Sequence, residues 1–276
     1  MRYDQFKDVI NIHRVLEEKR KALIIAVSDY IDNKLQSLEF CRKDGEKMYE
    51  VLQSLGFEIT DNRKLIGNVK FDLMRDSVYD FFDNSQTITN DLLLFYYSGH
   101  GIPSTDGHMC IASSEINPDY PYKRGISSYD LTRLIQDNIS TRIVEILDCC
   151  YSGAASISKG QEDAAVTLGT TAIQINAILL RQQGEGRCLL AASQATQEAY
   201  ALKEKGHSIF TYYLLEGLIG NKNSVDAEGN VTPYTLGNYV YREINDLSPG
   251  RRPKQKPIIK TEASGDIILA YYPNLP

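Results

Sequence analysis

The sequence predicts an α/β fold, with a mostly parallel sheet of about six strands and helices on both faces, in one domain. Three observations carry that prediction. Apolar runs alternate with segments of helical period along the whole chain. One of those runs, in "NDLLLFYYSGHG", is near-continuously apolar rather than alternating, which marks a strand buried on both faces, and "TRIVEILDCC" reads as another buried strand. Finally, 276 residues with 42% hydrophobic content suffice for a full core.

Taken in order, "ALIIAVSDY" (22–30) predicts a first strand. Leu38, Cys41, Met48, Val51, Leu52 and Leu55 then fall on one helical face, and "GFEIT" offers a second strand. Phe71, Met74, Val78, Phe81 and Phe82 mark a second helix, followed by the long run that ends at "SGHG". "HMCIAS" is a weaker strand, and "SSYDLTRLIQDN" is a helix opened by a serine cap. After "VEILDCC" come "RCLLAAS" as a strand, "HSIFTYYLLEGLIG" and "TPYTLGNYVYREIND" as helices, and "GDIILAYY" as a last short strand. The organisation expected is an N-terminal helical arm (1–21) and one main domain (22–276). That domain divides into a larger part (22–150), a mobile loop (151–187) rich in Ala, Gly, Gln, Ser and Thr, and a smaller part (188–276).

Composition excludes several classes of function. A formal net charge of −6 disfavours a general nucleic-acid or anionic-membrane binder. "RRPKQKPIIK" (251–260) is basic, but its two prolines suit a solvated loop. There is no uninterrupted apolar stretch of membrane-spanning length, and the first twenty residues lack the pattern of a secretory leader, so a cytoplasmic protein is expected. Five cysteines without C-x-x-C spacing argue against a disulfide framework and a structural zinc site.

Chemistry is expected where two buried strands stop. Ligands of open parallel sheets sit outside the carboxyl ends of the strands. There, one strand delivers His100 between Gly99 and Gly101, and another delivers Cys149 and Cys150 before Ser152 and Gly153. A cysteine attacks as thiolate and needs an imidazole within reach, which neighbouring strands can supply. Glycines beside the histidine let backbone approach a substrate. The residues alone leave a core cysteine and a turn histidine as the competing explanation. His13, His108 and His207 fit structural or exposed positions better than that of a base.

"YYSGHG" and "DCCYSG" resemble the His and Cys blocks of the caspase-like cysteine peptidases (peptidase C14 type), closest to the metacaspase and bacterial orthocaspase branch. "ALIIAVSDY", "LEFCRKDGEKMYEVLQSLGF", "CLLAASQATQEAY" and "GHSIFTYYLLEGL" are similar to flanking segments of that family, in order. The resemblance implies a caspase-like three-layer sandwich and a Cys/His endopeptidase. In it His100 is the general base and acid, Cys150 the nucleophile, Gly101 and Cys150 the oxyanion-hole donors, and Cys149 a non-catalytic neighbour. It also places Asp44 and Asp148 in the S1 pocket, where two carboxylates would favour cleavage after Arg or Lys. An enzyme of that preference could process itself at Lys159, Arg181 or Arg187.

No cofactor is expected. Calcium-dependent metacaspases carry paired aspartates where this chain has Ser127 and Ser128, which argues against calcium dependence. The expected partners are a protein or peptide substrate and an activating protein, in signalling, defence or cell-death proteolysis, without membrane or nucleic acid. The alternatives are a catalytically silent caspase-like interaction module, or a related Cys/His peptidase with another P1 preference.

Overall fold

The structure, a computed structural model, describes residues 19–151, 186–192, 201–202, 206–247, 257–261 and 267–275. Its main sheet runs β11-β7-β6-β3-β1-β2: β1 (Arg20–Val27), β2 (Lys64–Gly67), β3 (Leu92–Pro103), β6 (Arg142–Tyr151), β7 (Arg187–Ala191) and β11 (Ile258–Thr261). Strands β1, β2, β3, β6 and β7 are mutually parallel, and β11 lies antiparallel on the β7 edge. β3 is long enough to run past the parallel core. Its last residues pair antiparallel with β4 (Met109–Ala112), which in turn pairs with β5 (Gly125–Ser127), making an eight-stranded sheet.

Helices cover both faces. One core cluster joins alternate residues of β1, β3 and β6 (Ile24, Tyr96, Ile146) to α1 (Glu39–Ser54), α4 (Ile209–Leu218) and α5 (Pro233–Asp246). The opposite set (Leu23, Phe95, Ile143) packs on α2 (Phe71–Phe81) and α3 (Ser128–Asp137). This alternation follows from the two-residue period of a strand: a run such as Leu92–Tyr97, fully buried throughout, must feed both layers. α1 buries Cys41, Asp44, Gly45, Met48, Val51 and Leu52, a 3.6-residue stripe. Gly45 sets how near that helix comes, since a Cβ there would stand 2.4 Å from the Ala26 Cβ of β1. Its neighbour Asp44 is consequently carried down to the sheet, with no exposed surface.

Several expectations need correction. "GFEIT" is not a strand; Glu58 makes only an isolated bridge to Lys21, and the edge strand is Lys64–Gly67. The "PIIK" end of the basic segment is strand β11, because Ile258 and Ile259 face the core clusters while the segment pairs along β7. The described residues of "GDIILAYY" give a short strand outside the main sheet: Ala270–Tyr271 (β12) pairs with Asn230–Val231 (β10) in one two-stranded ribbon, and β8 (Ala201–Leu202) pairs with β9 (His207–Ser208) in another. Arg20 and Lys21 belong to β1 rather than to the arm. Lys21 Nζ lies 2.7 Å from Asp91 Oδ2, a buried ion pair that ties the starts of β1 and β3 together. The arm's residues 1–18, Lys159 and Arg181 lie outside the described residues.

Candidate active site

The carboxyl ends of β3 and β6 form one rung after another: Ser98 opposite Asp148, Gly99 opposite Cys149, His100 opposite Cys150, Gly101 opposite Tyr151. In-register pairing of parallel neighbours brings the backbones of His100 and Cys150 together without any loop between them. Gly101 also pairs with Ile111 of β4. Cys149 turns to the α2/α3 layer, where its Sγ lies 3.6 Å from Met109 Sδ.

His100 is 8% exposed and held on several sides. Its Nε2 donates to the Gln36 carbonyl at 2.8 Å, so that in the neutral ring Nδ1 keeps the lone pair. Its backbone N–H donates to the Tyr30 hydroxyl at 2.8 Å, and the Tyr30 ring stands 4.6 Å from the imidazole, tilted by 47°. The Tyr97 hydroxyl donates to the His100 carbonyl at 2.8 Å. Burial pushes the imidazole below its ordinary pKa, only partly offset by the Gln36 bond, so it is neutral at physiological pH. Gly99 is required by this crowding. A Cβ there would come within 2.6 Å of the Tyr97 hydroxyl and 2.9 Å of the Tyr30 hydroxyl.

A second group lies two residues back along β6. Asp148 is buried and accepts from the Ser208 hydroxyl and, at 2.6 Å, from Thr211 Oγ1. Ser208 is the N-cap of α4, its Oγ accepting the Thr211 N–H at 2.9 Å, so the carboxylate sits at the positive end of that helix. Asp44 accepts the Ser208 backbone N–H at 3.2 Å on one oxygen and His207 Nδ1 at 2.7 Å on the other. The structure thus brings Asp44 and Asp148 together through Ser208, although 104 positions separate them in sequence. Burial lifts the Asp44 carboxyl to about 7; the His207 bond opposes this and Asp148 adds to it. Burial also raises Asp148. Thr211 Oγ1 further meets the Tyr96 hydroxyl at 2.8 Å, which links β3 to the group.

Sequence reasoning passed over Tyr30, Gln36, Ser208 and Thr211, and placed His207 among the structural histidines. A Ser-x-x-Thr start to an apolar helix signals the α4 cap, but no spacing signals that Asp44 waits for it. Other expected residues stand elsewhere. Ser127 caps α3, accepting the Asp130 N–H at 3.0 Å, and among the described residues no group of three or more His, Cys, Asp or Glu side chains is placed to hold a metal. Arg187 is not in a loop; it opens β7 opposite Ile143 and donates to the carbonyls of Ser140 and, at 3.0 Å, Asn138.

The fold defines an α/β domain of the caspase-like cysteine-peptidase class. The chain belongs to the Peptidase C14 caspase-domain family, which matches residues 19–266. Its structure is similar to the crystal structure of caspase-1 from Spodoptera frugiperda, with a TM-score of 0.59 and 12% identity over 93% of this chain and 92% of the other. No curated protein matches the sequence. Among the described residues no helix is long and apolar enough to cross a membrane.

Proposed function

We propose that the protein is an endopeptidase that cleaves after Arg or Lys with a Cys150/His100 dyad, in the metacaspase or orthocaspase manner. One observation carries the reading: His100 and Cys150 occupy the same rung of two parallel strands, two rungs beyond the Ser98–Asp148 pair, so that the proposed catalytic and acidic groups share one edge of the sheet. The neutral His100, with Nδ1 as acceptor, takes the thiol proton of Cys150. The thiolate adds to the peptide carbonyl while backbone N–H groups of Gly101 and Cys150 hold the oxyanion. His100 then gives its proton to the departing amine, leaving a thioester that water, deprotonated by His100, hydrolyses.

Asp44 and Asp148 would receive the P1 cation, and a guanidinium or ammonium beside them would offset the cost of burying their charge. Self-processing would fall at Lys159 or Arg181. Arg187, built into β7 on both its backbone and its guanidinium, is disfavoured as a cleavage point. No cofactor or calcium ion takes part in the proposed steps. A cytoplasmic site of action and an activating protein partner complete the proposal.

The experiment is hydrolysis of fluorogenic peptides with Arg, Lys or Asp at P1 by wild type and Cys150→Ala, each with EDTA or calcium. Arg/Lys turnover that survives EDTA and vanishes in the variant is the expected result. Cleavage after Asp, or a requirement for calcium, would contradict the pocket or the metal-free mechanism. Lack of turnover under every condition would favour a partner-activated zymogen or a non-proteolytic interaction module.

A further inference from the structure

Asp44 is already occupied in the protein without substrate. It has no exposed surface, whereas the side chain of its partner His207 keeps 20% of its surface exposed, so the imidazole stands on the solvent side of the carboxylate. An N–H of the chain itself therefore fills, at 2.7 Å, the position on Asp44 Oδ1 that a substrate cation would seek. Gly206, in the left-handed region at φ 71°, turns the chain into that position. A second observation points to a polar visitor. The Ser98 hydroxyl, fully buried on the residue opposite Asp148, makes no well-formed hydrogen bond and lies only near the Tyr96 hydroxyl, although buried hydroxyls are ordinarily fully partnered.

We infer that His207 is a specificity-determining residue of the basic P1 pocket, a resident donor on Asp44 that the terminal nitrogens of a P1 Arg or Lys must displace. The inference rests on the reading of Asp44 and Asp148 as the pocket acids. Displacement sends a part-exposed imidazole into water and costs one hydrogen bond. An arriving guanidinium replaces that bond with charge-assisted ones to a carboxylate and has donors left for Ser98. A neutral P1 side chain has no such return, so the occupied pocket discriminates against it. Between substrates the buried acid keeps a partner, which is why a pocket of this kind need not stand open.

The test measures KM and kcat for an Arg-P1 fluorogenic peptide and the dissociation constant of benzamidine, a small P1-cation mimic. It compares wild type, His207→Ala and His207→Asn, with unfolding midpoints alongside. Removing the imidazole is expected to lower KM and the benzamidine constant several-fold, the effect lying in KM rather than kcat. His207→Asn, whose amide nitrogen sits where Nδ1 does, is expected to return both toward wild type. A merely structural histidine predicts the opposite sign, because Asp44 is then left short of a donor. Constants unchanged or raised in folded His207→Ala overturn the inference. Should that variant fail to fold, the ¹⁵N signals of His207 in wild type are followed as benzamidine is added: a shift on saturation supports displacement, and unmoved signals overturn it. If wild type binds benzamidine and Asp148→Asn abolishes binding while His207→Ala does not tighten it, only this inference falls. If wild type neither cleaves Arg peptides nor binds benzamidine, the pocket reading falls and takes the inference with it.

Discussion

The rung that holds His100 and Cys150 and the acidic group behind it are built in contrasting ways. The first is a product of register: two parallel strands end together, and pairing alone sets the distance between the backbones. The second is gathered from α1, β6 and the start of α4, with hydrogen bonds that span 60 to 164 positions of sequence. Their electrostatics differ as well. Burial keeps the His100 imidazole neutral, which suits a proton acceptor, whereas burial of Asp44 and Asp148 works against the very charge the pocket reading requires. The helix terminus and the hydroxyls around Asp148 offset part of that cost. A strand rung therefore tolerates drift in the surrounding packing, while the acid group depends on three elements docking together.

The sharpest way to break the comparison is to remove the proposed nucleophile. Cys150→Ala is expected to cut peptide hydrolysis by roughly 10⁴-fold or more. Cys149→Ala, which removes the thiol that lies against Met109, is expected to cost about 1 kcal/mol of stability and to leave the mechanism in place. Equal loss of turnover in the two variants would move the nucleophile. Next comes the pocket: Asp148→Asn is expected to lower kcat/KM for Arg and Lys substrates by roughly 10²-fold, about 3 kcal/mol, through loss of a desolvated charge partner. An effect confined to thermal stability would make Asp148 a helix-capping acid instead.

pH separates the two regions further. The charged form of Asp44, which attracts a cation, fills in as pH rises through about 7, so KM for Arg-P1 peptides is expected to fall by about tenfold between pH 6 and pH 8. The kcat limb assigned to His100 should lie lower, below the ordinary 6.5 of a histidine. Stability runs the other way. A carboxyl whose folded pKa is raised binds more protons folded than unfolded between pH 3.8 and about 7, so its contribution is present below that window and is lost as pH rises through it. Asp44→Asn should flatten both the KM limb and that stability slope; a KM limb that persists in the variant would assign it elsewhere. The smallest effect concerns the support of the histidine. Tyr30→Phe removes the hydroxyl that accepts the His100 N–H, and a loss of about 1 kcal/mol, seen as a few-fold drop in kcat with KM unchanged, is expected.

Much of the fold was legible because its strands are buried on both faces. Near-continuous apolarity in "LLLFYY" leaves few structures other than a helix-covered parallel sheet, and the candidate site announces itself as polar and small residues after two buried strands. "GFEIT" misled because a short β-prone segment needs a partner with free edges, and β1 is paired with β2 and β3 instead. "PIIK" was hidden in a basic, proline-bearing context, where only the open edge of β7 makes a strand of it.

The sequence by itself determined the alternation of strand and helix and the carboxyl-end position of His100 and Cys150. These depend on local periodicity and on residues adjacent in the chain. Tertiary structure alone decided that His100 rests on Gln36 and Tyr30, that Cys149 turns to the opposite layer, and that Asp44 meets His207 rather than water. Those are contacts between distant segments. Their existence follows from how closely α1 approaches β1 over Gly45 and where α4 docks its capped end, distances that no periodicity in the chain records.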